Sequence, residues 1–292
     1  MKKLLIASLV CILISGCTNR PTVVDEQACE KEFSLKYPVV LVHGIASSDT
    51  DGIFHAWGRI PERLREHGIA VFLGNTDAWG SIESNAAILK TSIENILQET
   101  GSEKVNIIAH SKGGIDSRYL IWRYDFADKI ISLTTISTPH RGAVLADRIY
   151  NQNYARSPLL LNAIDEFGRL SGDRYPDTHT VNYQLTTGFM AEFNELLGLV
   201  DERVYFKSLF SALESPMDDP IWAYSYRYIY SITGINDGVV SECSANWGGN
   251  FSRIEGSISH TEITDSKKRD IHGIDIPNIY LNIVRYLSEK GF

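Results

Sequence analysis

Val105-Asn-Ile-Ile-Ala-His-Ser-Lys-Gly-Gly-Ile-Asp-Ser-Arg118 is the stretch whose reading decides the fold. Val105 to Ala109 form a short apolar strand, Ser111 stands among small residues, and an amphipathic pattern follows from Gly113 to Tyr124. This is the sequence form of a nucleophile elbow, a tight strand-to-helix turn that lifts one hydroxyl above the end of a sheet. The turn is crowded, so the positions two before and two after the serine must be small. Here they are Ala109 and Gly113, giving A-x-S-x-G in place of the commoner G-x-S-x-G. Serines between small residues also occur by chance; the strand before this one and the helix after it supply the context the motif requires.

Outward from the elbow, strand and helix patterns alternate. Val39 to Val42 is a continuous apolar run, as expected of a strand covered on both faces. Ile60 to His67 predicts a helix stopped by Gly68, and Ile69 to Leu73 a second strand. Ile82, Ala86, Leu89, Ile93, Ile96 and Leu97 recur at helical spacing, and Ile130 to Ile136 predicts a fourth strand. The fold class is therefore α/β, with a mostly parallel central sheet and helices on both faces. Ligands of such sheets sit at the carboxyl ends of the strands, where Ser111 falls. From about residue 144 to 202 the alternation lapses into helical fragments (Ala146 to Tyr150, Leu159 to Leu170, Gly188 to Leu197), which predicts a helical cap or lid insertion. A strand resumes at Val204 to Ser208, and Pro277 opens a closing amphipathic helix.

At the other end, Lys2 and Lys3 precede an apolar run from Leu4 to Ile14 and then Ser15-Gly16-Cys17. The pattern reads as an export signal, too short to span a bilayer as a helix. Its ending resembles the lipobox of bacterial lipoproteins, in which the cysteine becomes the lipidated first residue. Residues 1–16 are thus expected to be a signal peptide, Cys17 the lipid anchor and residues 17–36 a polar tether before a catalytic domain from 37 to 292. Thr18, rather than Asp, follows the cysteine, which points to the outer membrane in a two-membrane bacterium. A formal charge of −8 without a basic run argues against nucleic acid as partner. Beyond Cys11 and Cys17, Cys29 and Cys243 remain, and two thiols in an oxidising compartment can pair. No cysteine–histidine cluster has zinc spacing.

A serine hydroxyl attacks only when a base takes its proton, and the base needs a carboxylate to hold its tautomer. On elbow folds the chain order is nucleophile, acid, histidine. Asp237 lies in Thr233-Gly-Ile-Asn-Asp-Gly-Val-Val-Ser241, a loop with turn chemistry downstream of a core strand. Asn-Asp-Gly alone is an ordinary turn; the elbow upstream and the histidines downstream favour the catalytic role. Both His260, on the small-residue loop Gly256-Ser-Ile-Ser-His, and His272, just before the closing helix, can reach it, and spacing leaves the two open. The oxyanion donors are expected to be the main-chain N–H groups of Lys112, after the nucleophile, and Ile45, in Val42-His43-Gly44-Ile45. The other histidines (His43, His55, His67, His110, His140, His179) read as packing or surface residues.

Tyr37-Pro-Val-Val-Leu-Val-His-Gly, Trp57-Gly-Arg-Ile-Pro-Glu-Arg-Leu, Ala109-His-Ser-Lys-Gly-Gly, Ser137-Thr-Pro-His-Arg-Gly142 and Asn236-Asp-Gly-Val-Val-Ser-Glu-Cys-Ser244, in this order, resemble the bacterial triacylglycerol lipases of the α/β-hydrolase superfamily. The resemblance runs from about Tyr37 to Tyr154 and again from Val204 onward. It implies Ser111 as nucleophile, Asp237 as acid, Ile45 and Lys112 as oxyanion donors, and it favours His260 over His272. It also brings a structural calcium into view: members often bind one through an acidic residue two after the histidine, here Glu262, and another before the acid, here Asp218 or Asp219. No cofactor is required by the expected chemistry, and the remaining calcium ligands are not assignable. The family's disulfide from the acid loop to the cap has only Cys243 here, which leaves Cys29 as its mate. The expected activity is hydrolysis of carboxylic esters, acylglycerols first, through an acyl-enzyme. A carboxylesterase, phospholipase or acyltransferase would use the same triad, and a non-catalytic envelope lipoprotein would use none of it. No pattern in the chain speaks for or against a dedicated foldase.

Overall fold

A computed structural model describes residues 33–49, 55–152 and 157–292. Its six strands are β1 (Val39–Val42), β2 (Val71–Leu73), β3 (Val105–His110), β4 (Ile130–Ile136), β5 (Tyr205–Ala212) and β6 (Phe251–Ser257). They lie in the order β2-β1-β3-β4-β5-β6, every neighbouring pair parallel. Each strand returns to the same end of the sheet only through a crossover, so the connections must travel over its faces. The first core helices are α1 (Ile60–Glu66), α2 (Ile82–Thr100) and α3 (Lys112–Arg123). An insertion follows β4 as α4 (Val144–Tyr150), α5 (Pro158–Leu170), α6 (Thr178–Gln184) and α7 (Thr187–Leu197). After β5 come α8 (Ala223–Thr233), α9 (Glu242–Ala245) and, closing the fold, α10 (Ile276–Glu289).

Strand β1 shows how the layers are specified. Successive side chains of a strand point to opposite faces. Val39 and Leu41 pack with Ile60 and Leu64 of α1 and Tyr280, Val284 and Leu287 of α10. Val40 and Val42 pack with Ala86, Leu89 and Ile93 of α2 and Leu120 of α3. All four β1 residues and all six of β3 are buried, as a doubly covered parallel strand requires. The ends of α2 are set locally: the Ser81 hydroxyl accepts the Ser84 N–H, and Gly101 terminates the helix in the left-handed region. Residues 33–36, at the end of the expected tether, already meet the fold: the Lys36 N–H donates to the Phe292 carbonyl, and Phe33 and Leu35 pack against the core. The expected signal peptide, the Cys17 anchor and Cys29 lie outside the described residues.

The insertion lies where the lapse in alternation predicts it, with α6 as an additional helix. It is stitched to the loop between β2 and α2. The Asp173 carboxylate accepts the N–H groups of Ala78 and Trp79 at 2.8 and 2.9 Å, and Asp77 accepts those of Arg174 and Tyr175 at 2.8 and 2.6 Å. Arg118 of α3 holds α7 by donating to Asn194 and to the Gly198 carbonyl, its guanidinium lying over the Trp247 ring. Helix α5, by contrast, turns Leu159 and Leu170 outward, both about four-fifths exposed.

Candidate active site

Ser111 joins β3 to α3 with φ 54° and ψ −130°, a backbone conformation that a residue with a Cβ adopts only under constraint. The constraint is visible on both sides of the serine. Its N–H donates to the Ile136 carbonyl of β4 at 3.0 Å, and its carbonyl accepts the Thr138 hydroxyl at 2.8 Å. Gly113 fits because a Cβ there would lie 2.5 Å from the Val42 and His43 carbonyl oxygens. A Cβ on Gly44 would come within 2.6 Å of the Ser111 Cβ, so the loop after β1 lies directly against the elbow. Gly113 is thus required by backbone approaching backbone, and Gly44 by the serine side chain lying against it.

His260 points its Nε2 at the Ser111 Oγ from 2.9 Å, and its Nδ1 lies 2.7 Å from the Asp237 Oδ2. Since the carboxylate can only accept, Nδ1 carries the proton and Nε2 is free to accept from the serine hydroxyl. Asp237 is fully buried; its other oxygen accepts the Val239 and Val240 N–H groups at 3.0 and 2.7 Å, which compensates the burial. The histidine's own N–H donates to the Asp237 carbonyl at 2.9 Å, joining the two loops through main chain as well. His272, the other candidate, is exposed and outside the cluster. The acid loop follows α8 rather than β5 directly. It returns to the end of β5 because the Leu213 N–H donates to the Asn236 carbonyl.

Lys112 is the first residue of α3, so its N–H has no acceptor within the helix. Ile45 follows the glycine that touches the serine. Both expected oxyanion donors therefore border Ser111. The Lys112 side chain takes no part there: it is buried, and its ammonium lies 2.7 and 2.9 Å from the two oxygens of Asp116. Burial raises the Asp116 pKa, outweighing the opposing pull of Lys112 and the Asn85 amide. Sequence reasoning missed this pair, although its i, i+4 spacing is the signal that would have found it.

His110, ahead of the nucleophile, stacks at a tilt on His260 with ring centroids 4.6 Å apart, and neither of its nitrogens has a hydrogen-bond partner among the described residues. Desolvation keeps it neutral, its pKa well below the ordinary histidine value. His43 bonds to the carbonyls of Gly44 and Thr76, and His140 is buried between Thr135 and Arg118. The histidines read as packing residues at these positions are therefore packed. Cys243 is exposed, with its sulfur 3.2 Å from the Ser241 hydroxyl.

Behind His260 lies the place where a calcium was in view. Asp219 and Glu262 are both buried there, and the Lys267 ammonium stands 3.3 Å from the Asp219 Oδ1 and 2.6 Å from the Glu262 Oε1. Asp218 turns away to the Ser257 hydroxyl and the Ser215 N–H. With the ammonium between the two carboxylates, these residues do not fit a metal cation.

A model of the palmitoyl protein thioesterase family matches residues 38–213. Triacylglycerol lipase 2 of Saccharomyces cerevisiae is 30% identical over 262 residues, 81% of this chain and 74% of that protein. A triacylglycerol lipase of Burkholderia plantarii is 36% identical over 125 residues, which span 41% of this chain and 34% of the relative. Among solved structures, Staphylococcus hyicus lipase superposes with a TM-score of 0.69 over 89% of this chain and 97% of its own, at 18% identity. A metagenomic carboxyl esterase gives 0.71 over 88% and 78%, also at 18%. Those two likenesses speak to the fold. The family match, the relatives and the serine–histidine–aspartate arrangement make the chain a serine ester hydrolase. It belongs to the palmitoyl protein thioesterase family, within the α/β-hydrolase superfamily and related to bacterial lipases and esterases.

Proposed function

We propose that this protein is a lipase that releases fatty acids from acylglycerols by a two-step acyl-enzyme route, with Ser111 as nucleophile. His260 Nε2 takes the proton as the Ser111 Oγ attacks the ester carbonyl, and the oxyanion forms between the N–H groups of Ile45 and Lys112. Collapse breaks the bond to the alcohol, which leaves with the proton from His260. Water then attacks the acyl-serine by the same base, and the fatty acid departs. Asp237 holds the imidazole in the tautomer that accepts and stabilises its charge. The observation that carries this reading is the unbroken line from Asp237 Oδ2 through His260 to Ser111 Oγ, with contacts of 2.7 and 2.9 Å.

Lipid substrates are supported by relatives named triacylglycerol lipase and by apolar side chains turned outward, Leu159 and Leu170 on α5 of the insertion and Ile221 in the turn before α8. In this reading α4 to α7 form the cap, and Cys17 carries a lipid anchor that keeps the enzyme in the cell envelope, at the outer membrane in a two-membrane bacterium. Mass spectrometry of the mature N-terminus tests the anchor: an unmodified Cys17 contradicts it. A panel of p-nitrophenyl esters and triglyceride emulsions, run on the protein and on Ser111→Ala, tests the activity. Preference for emulsified long-chain esters is expected; preference for short dissolved esters would make it a carboxylesterase. The match to the thioesterase family favours a second reading, cleavage of long-chain acyl thioesters by the same serine. Turnover of a palmitoyl thioester above that of the matching oxygen ester would select it.

A further inference from the structure

Asp219, Ser259, Glu262 and Lys267 form a closed ring behind the catalytic histidine. Each carboxylate gives one oxygen to Lys267 and the other to Ser259. Asp219 Oδ2 accepts the Ser259 hydroxyl at 2.7 Å, and Glu262 Oε2 accepts the Ser259 N–H at 2.9 Å. Their remaining oxygens meet the Lys267 ammonium at 3.3 and 2.6 Å. Ser259 is the residue before His260 and is fully buried. Asp219 also opens the turn Pro220–Trp222, and Trp222 reaches both catalytic loops. Its indole N–H donates to the Thr261 hydroxyl at 3.2 Å, and its Cβ occupies the space a side chain on Gly238, next to Asp237, would need. Two buried carboxylates this close repel one another unless a cation stands between them. Burial weakens the charge of Lys267, yet the hydrogen bond it donates to Glu262 and the charges of both acids outweigh this and raise its pKa.

We propose that Lys267 is a positioning residue: its ammonium does the work of a structural cation, drawing Asp219 and Glu262 together so that Ser259 sets the His260 ring toward Ser111. This rests on the reading of His260 as the base. Two consequences follow. The native enzyme needs no divalent cation at this place, and removing the ammonium leaves two carboxylates and a hydroxyl, an oxygen donor set suited to a hard cation.

The experiment compares the wild type, Lys267→Met, Lys267→Arg and the charge-free Asp219→Asn/Glu262→Gln/Lys267→Met, each in EDTA and in CaCl2 at about 10 mM, above the dissociation constants of weak calcium sites (~10⁻³ M). Wild-type Tm and kcat are expected to be the same in both. Lys267→Met in EDTA should lose about 10–100-fold in kcat with KM little changed, as expected of a displaced catalytic group. Calcium should raise both its Tm and its kcat, and Lys267→Arg should retain most of the activity. The charge-free variant tests folding without the buried charges and should show no calcium response. A wild type inactivated by EDTA overturns the proposal, as does a Lys267→Met variant that keeps wild-type kcat or regains nothing from calcium. The Tm response is read without any ester turnover. An inactive wild type that still shows this Tm pattern would count against the assigned reaction and leave the ring as described.

Discussion

Ser111 and His260 meet at 2.9 Å, but the two sides of that contact are held by different means. On the serine side the geometry comes from main chain close to the serine in space: a strained φ, two strand ends and glycines at which no side chain fits. On the histidine side it comes from side chains gathered from well-separated segments. These include Asp237 with its two amide donors, the ring of Asp219, Glu262 and Lys267 around Ser259, and Asp265, which takes three hydrogen bonds from Arg59. The first side tolerates almost no change in volume. The second is sensitive to charge and to hydrogen-bond partners.

The largest effect should come from the atom both sides serve. Ser111→Ala should lower ester turnover about 10⁴–10⁶-fold while far-UV circular dichroism stays unchanged. Asp237→Asn attacks the charge-dependent side alone. It keeps the volume, disturbs the tautomer of His260, and should cost about 10⁴-fold in kcat with little loss of Tm. Gly113→Ala attacks the volume-dependent side alone. Two carbonyl oxygens must move for the new methyl, so stability should fall by about 1–3 kcal/mol, a loss of ~2–4 °C in Tm per kcal/mol, with activity falling alongside. An Asp237→Asn variant that unfolds, or a Gly113→Ala variant as stable as wild type, would erase the distinction.

The smallest effect concerns His110, which sits between the two sides. Its native pKa is depressed below the unfolded value of about 6.5 by desolvation. An unfolded chain therefore binds a proton that the native one refuses, and stability present above pH 6.5 is lost as the pH falls below it. His110→Phe removes that contribution, so its Tm should decline less than the wild type's between pH 6.5 and 5. Parallel declines would show that His110 is not the source.

What could be read from the sequence follows the same division. The elbow, the apolar strands and the amphipathic helices α2 and α10 are local patterns, and each lies where its periodicity places it. Ser111, Asp237 and the residues bordering the oxyanion position carry local signals too: small flanks and turn chemistry. The choice of His260 over His272 had no local signal and came from resemblance, because it depends on where two loops arrive. Strand β6 was missed because an edge strand reading Phe-Ser-Arg-Ile-Glu-Gly-Ser is largely solvent-facing and shows little apolar pattern. Helix α6, Thr-His-Thr-Val-Asn-Tyr-Gln, is made of weak helix formers and is held by contacts such as Asp165 with Thr178 and Gln184 with Ile82. The Lys267 ring was invisible for a related reason: a lysine in Asp-Ser-Lys-Lys reads as surface until Asp219 is brought to it.

Mapping a fluorophosphonate adduct by mass spectrometry, with the labelling rate measured in His260→Ala and His272→Ala, tests the convergence of the three side chains most directly. The label is predicted on Ser111, its rate collapsing in His260→Ala and unchanged in His272→Ala. Labelling of another residue, or loss of labelling with His272 instead of His260, would contradict the site described.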